Sequence, residues 1–176
     1  MTVERDLAPG EWAVLALLCE HPAHGWALAS TLSPEGEVGS VWALGRPLVY
    51  RSLEILERRG LVEPAGHEPS ERGPSRTIFR ATASGCTAVE RWLAEPVERV
   101  REIRSLLLLK LVFAERAGTN PVAMLDEQRA LLSDLADALE RRLGSSVGPE
   151  RILLRFRHET ALAALRFVDG HRDDVA

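Results

Sequence analysis

The sequence predicts a mostly α-helical chain with a small β-hairpin wing. A winged helix-turn-helix unit spans residues 1–96, and a helical dimerisation domain spans residues 97–176. Three observations predict this. Between His24 and Thr82 a short helix, an arginine-bearing helix stopped at Gly60, and two β-branched stretches around a Gly/Pro/Arg loop follow one another. After Pro96 the pattern is almost entirely helical. In the middle one of the three later helices, leucine recurs every seven residues at Leu125, Leu132 and Leu139.

Each element has its own signals. Residues 9–20 read as a buried helix, because Trp12, Val14, Leu15, Leu17 and Leu18 leave little polar face. Pro9 suits its first turn, Glu11 the positive end of its dipole, and His21-Pro22 ends it. A second helix over residues 25–32 directs Trp26, Leu28, Ala29 and Leu32 inward, and Ser33-Pro34-Glu35-Gly36 ends it. The third helix starts near Pro47 and stops before Gly60, a residue suited to a left-handed cap. Val49, Leu53 and Leu56 form its core stripe, with Arg51, Glu54 and Arg58 on the opposite face.

Residues 61–63 and 77–81 are strand candidates on either side of a polar loop over residues 64–76. Thr82 is the expected N-cap of a helix carrying Val89, Trp92 and Leu93 to a break at Pro96. Helices are then expected over residues 97–117, 121–143 and 149–168, bounded by Thr119-Asn120-Pro121, Gly144-Ser145-Ser146 and Gly148-Pro149. The leucine seam of the middle helix needs a partner helix, either in the same chain or in a second copy.

Composition narrows the function classes. Hydrophobic residues at 45% and charged residues at 27% fit a globular protein with a sizeable core rather than a disordered chain. No run of about eighteen uncharged apolar residues exists, and Glu4, Arg5 and Asp6 precede any apolar segment, so neither a membrane span nor a secretory leader is expected. Cys19 and Cys86 have no metal-ligand spacing and read as free thiols of a reducing cytoplasm. His158-Glu159 opens like a zinc-protease helix, but Leu162 stands where the second histidine would be. There is no Gly-rich phosphate loop, nucleophile elbow or dinucleotide fingerprint, so neither catalysis, a cofactor nor a metal is expected.

Net charge complicates nucleic-acid binding. The chain carries −4, and residues 1–92 hold nine arginines against twelve acidic groups, so phosphate contact requires the arginines to gather on one face. The candidates are Arg46, Leu48, Tyr50, Arg51 and Arg58 on the third helix, with Arg72 and Arg76 flanking Gly73-Pro74 in the wing loop. Arg58 reads first as a helix-end charge complementing the dipole, and Tyr50 equally as a core-edge residue or a phosphate-contacting hydroxyl. His24 reads first as a capping or packing residue.

These residues resemble the PadR family of bacterial transcriptional regulators. The resemblance rests on His24-Gly25-aromatic, on the run Val49-Tyr50-x-x-Leu53-x-x-Leu56-x-x-x-Gly60-Leu61, and on Arg72-Gly73-Pro74 leading to Phe79-x-x-Thr82-x-x-Gly85. Trp92-Leu93-Ala94-Glu95-Pro96 and the later Leu107-Leu108-Leu109-Lys110-Leu111 are similar to members with a longer helical C-terminal domain. The resemblance implies a winged-helix repressor or activator that dimerises through its C-terminal helices. The chain departs from the family pattern in Trp26 and Phe79, where tyrosine is usual, and in Arg51, where proline is common.

The expected function is therefore a homodimeric, sequence-specific repressor binding a palindromic double-stranded DNA operator. Leu107, Leu111, Leu125, Leu132 and Leu139 are the expected dimer residues. A small-molecule effector, where one acts, would use that interface and change the spacing of the two wings. The alternative is a winged-helix protein-interaction module without DNA binding, which the acidic total charge would suit.

Overall fold

The computed structural model describes residues 7–69 and 75–176. Helix α1 (Pro9–Glu20) is apolar almost all round and accordingly buried from Trp12 to Leu18. Its first turn is closed by the Glu11 carboxylate, which accepts the Ala8 backbone N–H at 2.9 Å. A two-residue strand β1 (Ala23–His24) leads into α2 (Gly25–Thr31), and His24 caps this helix by accepting the Ala27 N–H on Nδ1 at 3.0 Å.

Helix α3 (Arg46–Arg58) buries Val49, Leu53 and Leu56, the three residues of the stripe read from the sequence. It ends through Gly60 at φ +69°, where the Leu61 N–H donates to the Leu56 carbonyl and the Gly60 N–H to the Glu57 carbonyl. That pairing satisfies the last carbonyls of the helix and requires a left-handed residue between them, which glycine adopts without a Cβ clash.

The wing strands are longer than the sequence suggests. Strand β2 (Val62–Glu68) and strand β3 (Arg76–Ala81) pair antiparallel from Val62↔Ala81 to Glu68↔Arg76, and β1 joins on the other edge of β3 in the order β1-β3-β2. Residues 64–68, expected in the loop, belong to β2. Pro64 lacks an N–H, but it sits on an edge strand beside a register shift between Pro64 and Gly66, where the ladder is already interrupted. The Glu63↔Arg80 pair carries a cross-strand ion pair at 2.7 Å.

Thr82 then caps α4 (Ala83–Ala94), its Oγ1 accepting the Gly85 N–H at 3.1 Å. On α4, Trp92 stacks on Trp12 with centroids 4.9 Å apart and planes 5° from parallel, and Phe113 meets Trp92 edge-on at 6.4 Å. The buried Lys110 ammonium donates to the Trp92 carbonyl and lies 5.0 Å from the centre of the Trp92 ring. The chain's one lysine is thus satisfied inside the unit.

Two compact units result. One comprises residues 1–92 with Leu108–Phe113, the other residues 93–107 with 114–176. The helical stretch after Pro96 starts at α5 (Val100–Glu102), passes a π turn over Ile103–Leu107 and continues as α6 (Leu108–Arg116), so it begins three residues later than expected. In the second unit α7 (Val122–Ser145) and α8 (Gly148–Val175) form an antiparallel hairpin around Ala136, Leu139, Leu154 and Ala161. Helix α8 outruns the expected end at residue 168, because Asp169 and Arg172 fasten its last turns to Arg129 and Asp126 of α7. Gln128 is fully buried on α7, yet both ends of its amide are used. Oε1 accepts the Val97 N–H at 2.7 Å and Nε2 donates to the Val97 carbonyl at 3.1 Å. Among the described residues, no helix is long and apolar enough to cross a membrane.

Candidate nucleic-acid interface

Packing the Val49/Leu53/Leu56 stripe against the core leaves Arg46, Leu48, Tyr50, Arg51 and Arg58 exposed on α3. Leu48 and Tyr50 keep 49% and 41% of their surface in water, an unusual amount for apolar side chains on a helix so well anchored. The Arg46 guanidinium lies 5.9 Å from the centre of the Tyr50 ring. That ring lies against Gly25, where an added Cβ would come within 2.7 Å of Tyr50 Cε1. Glycine at the start of α2 is thus the condition for the Tyr50 ring to lie where it does.

On the other side of Gly25 stands Trp26. The sequence reading directed this residue inward; the structure leaves it 50% exposed. The reason lies in the shortness of α2. Leu28 and Leu32 take its inward direction, and Trp26, two residues before Leu28, is turned roughly 200° round the helix axis from it. Its indole instead meets the wing, with the Arg76 guanidinium 5.4 Å from the ring centre. Arg76 Nη1 also lies 3.4 Å from His24 Nε2, which in turn lies 3.2 Å from Glu68 Oε2.

The N-terminal part of α3, the start of α2 and the loop end of the wing therefore carry a run in which each ring has its own arginine: Arg46 with Tyr50, which lies against Gly25, then Trp26 with Arg76. Among the described residues, no carboxylate lies in ion-pair range of Arg46, Arg51 or Arg76. The run can receive a polyanion, because guanidinium groups match phosphate geometry and the rings offer stacking faces.

Of the residues singled out beforehand, Arg46, Tyr50 and Arg76 are drawn into this run, and Leu48 and Arg51 lie on the same exposed end of α3. Arg58 is twelve residues from Arg46, ~18 Å along the helix, and sits at the other end. Arg72 lies outside the described residues. His24 is the capping residue the sequence suggested, whereas Trp26 was missed as a surface residue; the signal was present in the shortness of the helix that follows His24. The expected dimer residues are placed otherwise. Leu107, Leu111, Leu125, Leu132 and Leu139 are each no more than 7% exposed within the single chain. What the hairpin leaves in water is Leu131 and Leu135 on α7, with Ile152, Leu153 and Phe156 on α8.

Residues 14–91 match the family model described as the transcriptional regulator PadR-like family. That stretch, a little under half of the chain, is similar to the PadR-like family. The match runs from α1 into α4, and so takes in Gly25, Trp26, Tyr50 and Arg76. A curated relative, the probable transcriptional regulator Rv1176c of Mycobacterium tuberculosis, is 28% identical over 96 residues, 54% of this chain and 49% of that protein. The chain thus spans about half the length of the curated relative it matches. Among solved structures it is similar to Bacillus subtilis PadR in complex with operator DNA, at 18% identity and TM-score 0.47, covering 94% of this chain and 98% of that one. It is also similar to the PadR-like transcriptional regulator BC1756 from Bacillus cereus, at 16% identity and TM-score 0.40, covering 94% and 97%.

Proposed function

We propose that this chain is a cytoplasmic, sequence-specific DNA-binding transcriptional regulator that acts as a homodimeric repressor, with no catalytic role. The observation that carries the reading is the run of Arg46, Tyr50, Trp26 and Arg76 from the start of α3 to the loop end of the wing. Arg46, Leu48 and Arg51 lie at the N-terminal end of a helix anchored by a buried stripe, the end from which such a helix reaches base edges. Arg76, with Arg72 as its expected partner, meets the flanking backbone and contributes affinity more than base choice.

One such face carries few positive charges, and the chain as a whole is acidic. Two copies on half-sites of a palindromic operator supply what one lacks, with their recognition helices about one turn of DNA, ~34 Å, apart. The exposed apolar side chains of the α7/α8 hairpin, Leu131, Leu135, Ile152, Leu153 and Phe156, are the surface through which the copies join. A small-molecule effector would act at that junction by changing the spacing of the wings.

The test is the salt dependence of binding to the DNA upstream of the chain's own coding sequence, followed by fluorescence anisotropy. Counterion release predicts that affinity falls steeply and linearly in the logarithm of salt concentration. Absence of binding at low salt, or affinity indifferent to salt, overturns the reading in favour of a protein partner.

A further inference from the structure

We infer that Trp26 is a positioning residue for DNA binding, its indole holding the Arg76 guanidinium ready for a backbone phosphate; the inference rests on the DNA-binding reading above. An arginine on an exposed strand end samples many rotamers, and a phosphate that captures it must first overcome that freedom. Here the guanidinium has two neighbours, the Trp26 ring at 5.4 Å and His24 Nε2 at 3.4 Å. The hydrogen-bond pattern decides which of them grips it. His24 Nδ1 accepts the Ala27 N–H, so in the neutral ring the proton is on Nε2, and it points to Glu68 Oε2 at 3.2 Å. Nε2 then has no lone pair left for Arg76, and the indole face is the contact that holds the side chain.

The exposure of Trp26 follows from the same arrangement. A half-exposed indole is unfavourable in water, and the guanidinium covers part of it while Arg76 itself stays exposed and so within reach of a phosphate. His24 supports the stack indirectly. It caps α2 and ties the helix to the end of β2 through Glu68, fixing Trp26 relative to the strand that carries Arg76.

The experiment is a double-mutant cycle on the full chain, read by anisotropy with a labelled mixed-sequence duplex and with the chain's own upstream DNA. Circular dichroism of each variant checks the fold. Trp26→Leu keeps the apolar bulk but removes the ring face and should weaken binding about two- to fivefold. Trp26→Phe keeps a ring face and should recover most of that loss. Arg76→Ala should lower the salt slope by about one unit. In the Arg76→Ala background, Trp26→Leu should then have no further effect. Equal losses from Trp26→Leu in both backgrounds would mean that the ring meets DNA by itself, which overturns the inference. So would an Arg76→Ala variant that binds as tightly as the parent chain. Should Trp26→Leu fail to fold, Arg76→Lys replaces it: charge is kept, planar stacking is lost, and unchanged affinity overturns the inference. A parent chain that binds neither duplex removes the DNA reading itself, and that outcome is read before any variant is made.

Discussion

The two units expose their large apolar side chains differently. On the winged-helix unit, two of the exposed rings come with an arginine: Tyr50 beside Arg46 and Trp26 beside Arg76. On the hairpin unit, Ile152 at 74% and Phe156 at 68% exposure stand one helical turn apart on α8, with Leu153 beside them. The first surface is already half-solvated and suits a charged, hydrated partner. The second gains only by meeting another apolar surface. On the proposed reading, DNA binding and self-association fall to separate units, and each assignment can be broken separately.

The largest expected effect comes from charging the hairpin surface. Ile152→Asp with Phe156→Asp should convert the proposed dimer to a monomer in light scattering while leaving the helical signal of circular dichroism intact. Loss of the second half-site should reduce affinity for operator DNA by roughly 10²- to 10⁴-fold. Next in size is a core deletion under the other surface. Leu56→Ala removes a fully buried side chain behind α3 and should destabilise the winged-helix unit by about 2–5 kcal/mol in denaturant unfolding. Oligomeric state should be unchanged, which sharpens the contrast between the units.

Arg51→Ala should weaken operator binding by about 1–3 kcal/mol if the residue reads a base, with stability moving by no more than ~0.5 kcal/mol. An unaltered titration would take Arg51 out of the site. The smallest effect concerns Cys19. Burial pushes its thiol up, reinforced by the hydrogen-bonded Cys86 thiol and by the charges of Glu90 and Glu20. Cys19 should therefore alkylate slowly at neutral pH, by mass spectrometry, compared with a free thiol. Because folding favours its protonated form, its contribution to stability is full below the ordinary thiol range and is lost as pH rises past about 9. A rapid Cys19 reaction at pH 7 would contradict that environment.

Much of this was legible from local patterns. The stripe of α3, its stop at Gly60, the Thr82 cap and the α7/α8 boundaries all depend on neighbours within a few residues, and each lies where its spacing predicts. The wing strands were read too short because Pro64 signals a loop, and only pairing with β3 makes an edge bulge of it. Trp26 was read inward because it is large and apolar, and only the competition with Leu28 and Leu32 for one short helix face turns it outward.

By itself, then, the sequence determined which segments are helical, where most of them stop (α8 excepted), and that an arginine-bearing helix precedes a two-stranded wing. Hydrogen-bond periodicity and capping are local, so they are written in spacings of three, four and seven residues. Tertiary structure decided which side chains of those helices meet each other. It stacks Arg76 on Trp26, fifty positions earlier in the chain, and it covers Leu125, Leu132 and Leu139 within their own chain while leaving Ile152 and Phe156 in water. Such choices depend on which of several apolar faces wins a place in the core, and that competition involves residues far apart in the chain.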